Sequence, residues 1–157
     1  MVFARDVNGP LSSLLKQFDA AVAKNKDADM RSFAVFLTDD SEATEAKLKR
    51  VAEKEKISEN VPLTIVEDVS GPPAFKISQE AEVTVLLYTK GKVVSNFAFK
   101  AGELKDKDVK AIVAQIPKIL PTKEELEEQA KIKKEIEDLK KKLEAAKKEK
   151  EKKEDKK

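Results

Sequence analysis

Val83-Thr84-Val85-Leu86-Leu87-Tyr88 and Lys92-Val93-Val94-Ser95-Asn96-Phe97-Ala98-Phe99, joined through Thr89-Lys90-Gly91, are the strongest β signal in the chain. β-branched and aromatic residues fill both runs, and Gly91 supplies the positive φ that a tight hairpin turn requires. Beyond this hairpin, Asp106 is placed to cap a helix whose apolar positions Val109, Ile112, Val113, Ile116 and Leu120 form one stripe. Pro117 kinks or ends that helix, because it has no N–H to donate. Before the hairpin, Val69-Ser70-Gly71-Pro72-Pro73 continues no regular element, and one short turn follows around Ala74 to Ile77.

The N-terminal half alternates strand and helix. Val2 to Arg5 is a short strand, and Asn8-Gly9-Pro10 turns into a helix with Pro in its first turn, where the missing N–H costs nothing. Leu11, Leu14, Leu15, Phe18 and Val22 recur at helical spacing and give that helix one buried face. Ser32 to Leu37 reads as a strand buried on both faces. Thr38-Asp39-Asp40-Ser41 offers caps for a second helix with Ala43, Leu48, Val51 and Ala52 inward, and Pro62 to Glu67 is a further short strand. The order β-α-β-α-β-(turn)-β-β-α predicts an α/β domain over residues 1–120: a mixed sheet, parallel in part, with an antiparallel edge and helices on both faces.

Residues 121–157 differ in kind. Thr122-Lys123-Glu124-Glu125 is a capping box after Pro121, with acids early and Lys late, as the helix dipole favours. Gln129, Ile132, Ile136, Leu139, Leu143 and Ala146 step by three and four, which makes a self-association seam of Ile132, Ile136, Leu139 and Leu143 on a charged helix or short coiled coil. Beyond Ala146 nothing apolar remains, and a disordered end is expected.

Composition narrows the chemistry further. The 157 residues contain no Cys, His or Trp, which excludes thiolate nucleophiles, disulfides, Cys/His zinc sites and imidazole acid–base catalysis. No catalytic residue, cofactor or metal site is expected. Residues 122–157 hold 14 of the 32 basic and 12 of the 30 acidic residues, leaving 18 of each sign in the remainder. Interleaved charge of this kind lacks the one-signed field of a nucleic-acid binder. The longest apolar run, Val83 to Tyr88 interrupted by Thr84, is too short for a transmembrane segment, and no basic region followed by an apolar stretch marks an export signal. Three weaker alternatives have simpler structural readings. Asp39 and Asp40 could take Mg²⁺ but read as caps, Ser12 and Ser13 lack a base, and Tyr88, Phe97 and Phe99 could stack nucleotides but read as core.

The succession of landmarks resembles the thioredoxin-like superfamily, in the redoxin branch that includes peroxiredoxins and exported thiol-disulfide oxidoreductases. Val7-Asn8-Gly9-Pro10-Leu11 resembles the family's Trp-Cys-Gly-Pro-Cys turn, with Asn8 and Leu11 where the two cysteines stand. Phe75-Lys76-Ile77 resembles the Tyr-Gly-Ile before the hairpin. Glu82 to Val93 resembles the cis-Pro-Thr strand and its Gly turn, with Val83 in place of the proline. The resemblance implies a thioredoxin-like sheet in which Asn8, Gly9, Pro10 and Leu11 lie beside Glu82 and Val83, in a groove that matches the family's binding site but where, with a trans Glu82–Val83 bond, family-type peptide binding would be altered or absent. A protein partner or weak self-association is expected through the C-terminal helix. The resemblance implies no thiol chemistry, because both cysteines and the cis-proline are missing. The expected function is therefore a non-catalytic binding or assembly domain, by default cytoplasmic. The alternative is a piece of a longer, exported thiol-redox protein whose cysteines lie upstream of Met1, as a Cys pair does in some bacterial relatives. The intact mass of the natural product separates the two.

Overall fold

In the computed structural model, which describes residues 1–154 and side chains through Glu144, five strands form one mixed sheet. The strands are β1 (Val2–Ala4), β2 (Ala34–Leu37), β3 (Leu63–Val66), β4 (Val83–Thr89) and β5 (Lys92–Phe99). The helices are α1 (Gly9–Lys24), α2 (Ser41–Glu55), α3 (Asp106–Val113) and α4 (Lys123–Glu154). The sheet order is β3-β2-β1-β4-β5, with β1–β2 and β2–β3 parallel and β1–β4 and β4–β5 antiparallel. Met1 lengthens the β1–β4 pairing through reciprocal main-chain bonds with Leu86 of 3.0 and 2.9 Å, and burial pushes its amine down to about 6.

The hairpin is tighter than anticipated. Thr89 pairs with Lys92, so Lys90 and Gly91 alone make the turn, with φ of 51° and 74°. Two positive φ values in a two-residue loop match the twist of the flanking strands.

Every residue of the α1 stripe is buried, and α1 packs against both α2 and α3. Leu11, Leu14, Leu15 and Phe18 of α1, Leu48 of α2, and Val109 and Ile112 of α3 belong to one cluster with Val2, Ala4, Phe36, Val83 and Val85. Helices on both faces were expected, and the packing overturns this. The chain steps from β1 to β2 to β3 in one direction without reversing, and right-handed crossovers taken in one direction lay their helices on one face. The other face carries a second cluster, Phe3, Val35, Leu37 and Leu86, edged by Met1, Phe33, Val66 and Ile77. Its cover comes from the segment between β3 and β4, which holds a single 3-10 turn, Pro73–Phe75; Phe75 lies against Phe3 with ring centroids 5.0 Å apart.

Three local expectations shift. Ala43 is exposed, and the half-buried Thr44 takes its place, bonding the Thr38 hydroxyl at 3.0 Å. Asp106 is the first residue of α3 and not its cap; Lys105 precedes it, its N–H donating to the Asp108 carboxylate at 3.0 Å. Ser32 and Phe33 stay outside β2, and the buried Ser32 hydroxyl finds no protein partner. Pro117 ends α3 as anticipated, the helix stopping at Val113 ahead of a 3-10 turn over Ile116–Lys118.

The chain divides into two compact units, Met1–Leu120 and Pro121–Lys157. Within the second, the expected capping box is present: Thr122 N–H donates to the Glu125 carboxylate at 2.8 Å, and Glu125 N–H to the Thr122 hydroxyl at 3.2 Å. α4 runs through Glu154, and the expected disordered end beyond Ala146 falls on residues whose side chains lie outside what is described. Lys and Glu are good helix formers, which sustains a helix without an apolar stripe. The Ala146 side chain and residues 155–157 lie outside what is described. Among the described residues, no helix is long and apolar enough to cross a membrane.

Candidate functional site

β1 and β4 are antiparallel neighbours, with Ala4 opposite Val83, so the chain leaving β1 for α1 meets the chain entering β4 at one end of the sheet. Arg5 N–H donates to the Glu82 carbonyl at 2.9 Å. Three residues on, Asn8 caps α1: its Oδ1 accepts from Leu11 N–H at 2.9 Å, while its Nδ2 donates to Glu82 Oε1 at 2.8 Å. The structure thus brings the Asn8–Leu11 turn against Glu82 and Val83. Leu11 and Val83 are buried in the main cluster, Gly9 is exposed, and Asn8, Pro10 and Glu82 are half-buried. The Glu82–Val83 peptide bond is trans, as are all the described others.

A helix N-terminus attracts anions through its free N–H groups and dipole. Here, Gly9 apart, those groups are engaged or missing. Pro10 has no N–H, Leu11 N–H is held by Asn8, and the Asn8 carbonyl accepts both Ser12 N–H and the Ser12 hydroxyl at 2.9 Å. α1 has no acid in its own first turn, and the Glu82 carboxylate, bound to the cap residue, supplies the negative charge there. The junction is a satisfied internal contact, with Ser12 serving as a donor in it.

Asn8→Asp is expected to keep the cap and lose the bond to Glu82, setting two carboxylates together at a cost of about 1–2 kcal/mol. The penalty is a repulsion between two carboxylates, so it should be full at neutral pH and shrink on acidification. Asn8→Ala loses the cap at every pH, by about 1 kcal/mol. Urea midpoints of the two variants at pH 7 and pH 4 make the comparison. A pH-independent Asn8→Asp penalty would count against the Asn8–Glu82 contact.

Beside this junction, the Arg5 guanidinium donates to three main-chain carbonyls of the β3–β4 segment: Ala81 at 2.9 Å, Ser78 at 3.2 Å, and Val69. It ties down the segment that covers the second sheet face. Within residues 68–81 the main-chain bonds are local, from Gly71 to Asp68, Phe75 to Pro72, Lys76 to Pro73 and Ala81 to Ser78. Sequence reasoning treated Arg5 as the end of a strand. Its acceptors are carbonyls, which every residue has, so no side-chain pattern marks it. Asp6, next along, bonds the Lys47 ammonium. Partial burial raises the Asp6 pKa, but hydrogen bonds from Lys47 and from Val7 N–H, with the Lys47 charge, outweigh it and hold the carboxyl below its usual value.

The remaining candidates resolve as follows. Asp40 caps α2, accepting from Ala43 N–H at 3.0 Å, and Asp39 is exposed. Among the described residues, no group of three acids could hold a metal ion. Phe97 and Phe99 pack against the main cluster whereas Tyr88 is 41% exposed, so the three form no common platform. A cavity of about 470 Å³ lies beyond the far end of β2, beside Ser32, Arg31 and Asn60. On α4, Ile132, Ile136, Leu139 and Leu143 are all exposed, by 48, 47, 60 and 58%. No protein-family model, curated protein or solved structure matches the chain.

Proposed function

We propose that residues 1–120 are a non-catalytic thioredoxin-like domain and that the chain acts by binding or assembly, with the charged helix of residues 121–157 as its contact element. The observation that carries this reading is the state of Asn8 and Leu11. At the two positions where the resemblance places a dithiol, one residue is a helix cap bonded to Glu82 and the other is buried in the core. Neither is free to react. The antiparallel meeting of the α1 turn with the start of β4 supports the thioredoxin-like comparison. The four exposed apolar side chains of α4 support a contact role for the helix, since clustered apolar exposure marks interaction surfaces.

With no residue able to form a thiolate, the purified chain should neither reduce a protein disulfide nor turn over peroxide. Disulfide reduction and peroxide consumption, each measured against a no-protein control, test this. Turnover above that control defeats the non-catalytic reading.

A further inference from the structure

The exposed apolar residues of α4 are spaced by four, three and four, which assigns Ile136 and Leu143 to heptad position a and Ile132 and Leu139 to d, with Gln129 the preceding a residue. The flanking positions then carry a pattern of their own. Glu128 and Glu135 occupy g, and Lys133 and Lys140 occupy e. We infer that α4 pairs with α4 of a second copy of this chain, parallel and in register; this names the partner for the assembly role proposed above and rests on that role.

In a parallel pair, each g residue faces the e residue five positions later on the other helix. Glu128 then meets Lys133 and Glu135 meets Lys140 of the second copy, on both sides of the seam. One helix carries both the acidic column and the basic column that complements it, so a second copy satisfies the pattern without any other partner. The antiparallel alternative also aligns the four apolar positions, Ile132 with Leu143 and Ile136 with Leu139. It fails on charge. Antiparallel helices face e with e and g with g, which puts Lys133 against Lys140 and, among the described side chains, leaves Glu135 with Lys142 as the opposite pair. The intrahelical pair Glu137–Lys141, at 2.9 Å, sits at b and f and leaves the flanks available. A polar Gln129 at a fixes register at some cost in affinity. With about two heptads of apolar contact, the pair is weak and concentration-dependent.

Sedimentation of the full chain over a wide concentration range should show a reversible monomer–dimer equilibrium that Ile136→Glu with Leu139→Glu abolishes. Lys140→Glu separates the orientations. In the parallel pair it sets the Glu135 carboxylate against a second carboxylate on each side of the seam and should raise the Kd about tenfold, and adding Glu135→Lys should restore it. In the antiparallel pair it replaces the repulsion between Lys133 and Lys140 with an attraction and would tighten binding, which overturns the inference. Gln129→Cys gives a readout independent of affinity, because the chain has no other cysteine. Parallel pairing brings the two thiols together, and oxidation should yield a covalent dimer. A helical chain that stays monomeric at every concentration and forms no such dimer also overturns the pairing. That outcome leaves untouched the absence of thiol and peroxide turnover, by which the non-catalytic reading stands or falls.

Discussion

Phe18→Ala should lower the free energy of unfolding by about 3–5 kcal/mol, among the largest losses expected from a single truncation of the core. Phe18 is 2% exposed and lies on the inner face of α1, in the same cluster as Leu14, Leu15, Phe36 and Ile112. The helices pack on one face of the sheet, and α1 touches both α2 and α3. A hole at Phe18 therefore has strands on one side and helices on the others, and these walls cannot all close inward. The cost of a truncation depends on how far the site collapses, which places this one high in the range. Phe97→Ala, at a half-buried position on edge strand β5, is the internal comparison and should cost clearly less. Urea denaturation followed by circular dichroism measures both. A Phe18→Ala loss below about 1 kcal/mol, well under the range for core aromatics, would mean that α1 is not the centre of the core.

What could be read from residues alone divides along physical lines. The α1 stripe was legible because five apolar side chains at helical spacing have one common direction, and all five are buried. The hairpin was legible because Gly91 tolerates a positive φ, although the same requirement at Lys90 leaves no mark in the sequence. The one-sided placing of the helices was not legible. It depends on whether the strand order reverses, and Val35 or Leu37 would be apolar whether a helix or a loop covered it. Ala43 was misplaced because alanine is at home on either face of a helix, and Thr44 was overlooked because a hydroxyl facing inward is tolerated only where a partner such as Thr38 awaits it. At the candidate site, the turn of Asn8-Gly9-Pro10 into α1 was readable from Pro10, whereas the cap made by the Asn8 side chain was not singled out. Its bond to Glu82, 74 residues away, was approached only through the family resemblance.

Gly71→Val should destabilise the chain by about 3 kcal/mol and loosen the cover of the second sheet face. Two costs combine. Gly71 has φ of +72°, a conformation in which a residue bearing Cβ loses about 1–2 kcal/mol and a β-branched one is a marked outlier. A Cβ there would also lie 2.9 Å from Leu37 Cδ1 and 3.0 Å from Ile77 Cδ1. Ile77 lies in the covering segment and edges the cluster, but Leu37 is a 2%-exposed member of it, so making room means disturbing buried packing, a cost of about 1–3 kcal/mol. Gly102→Val isolates the first cost. Gly102 has nearly the same φ, +71°, with nothing within 4 Å of an added Cβ. The difference between the two variants therefore measures how tightly the segment is seated on the sheet. Hydrogen exchange at residues 68–81 gives the local half of the answer. Their main-chain bonds are internal, so the segment can lift without breaking a strand pairing, and faster exchange there should accompany the loss in Gly71→Val but not in Gly102→Val. Equal destabilisation by the two substitutions, with unchanged exchange over the segment, would show that Leu37 and Ile77 yield freely and that the close packing at Gly71 does not seat the cover.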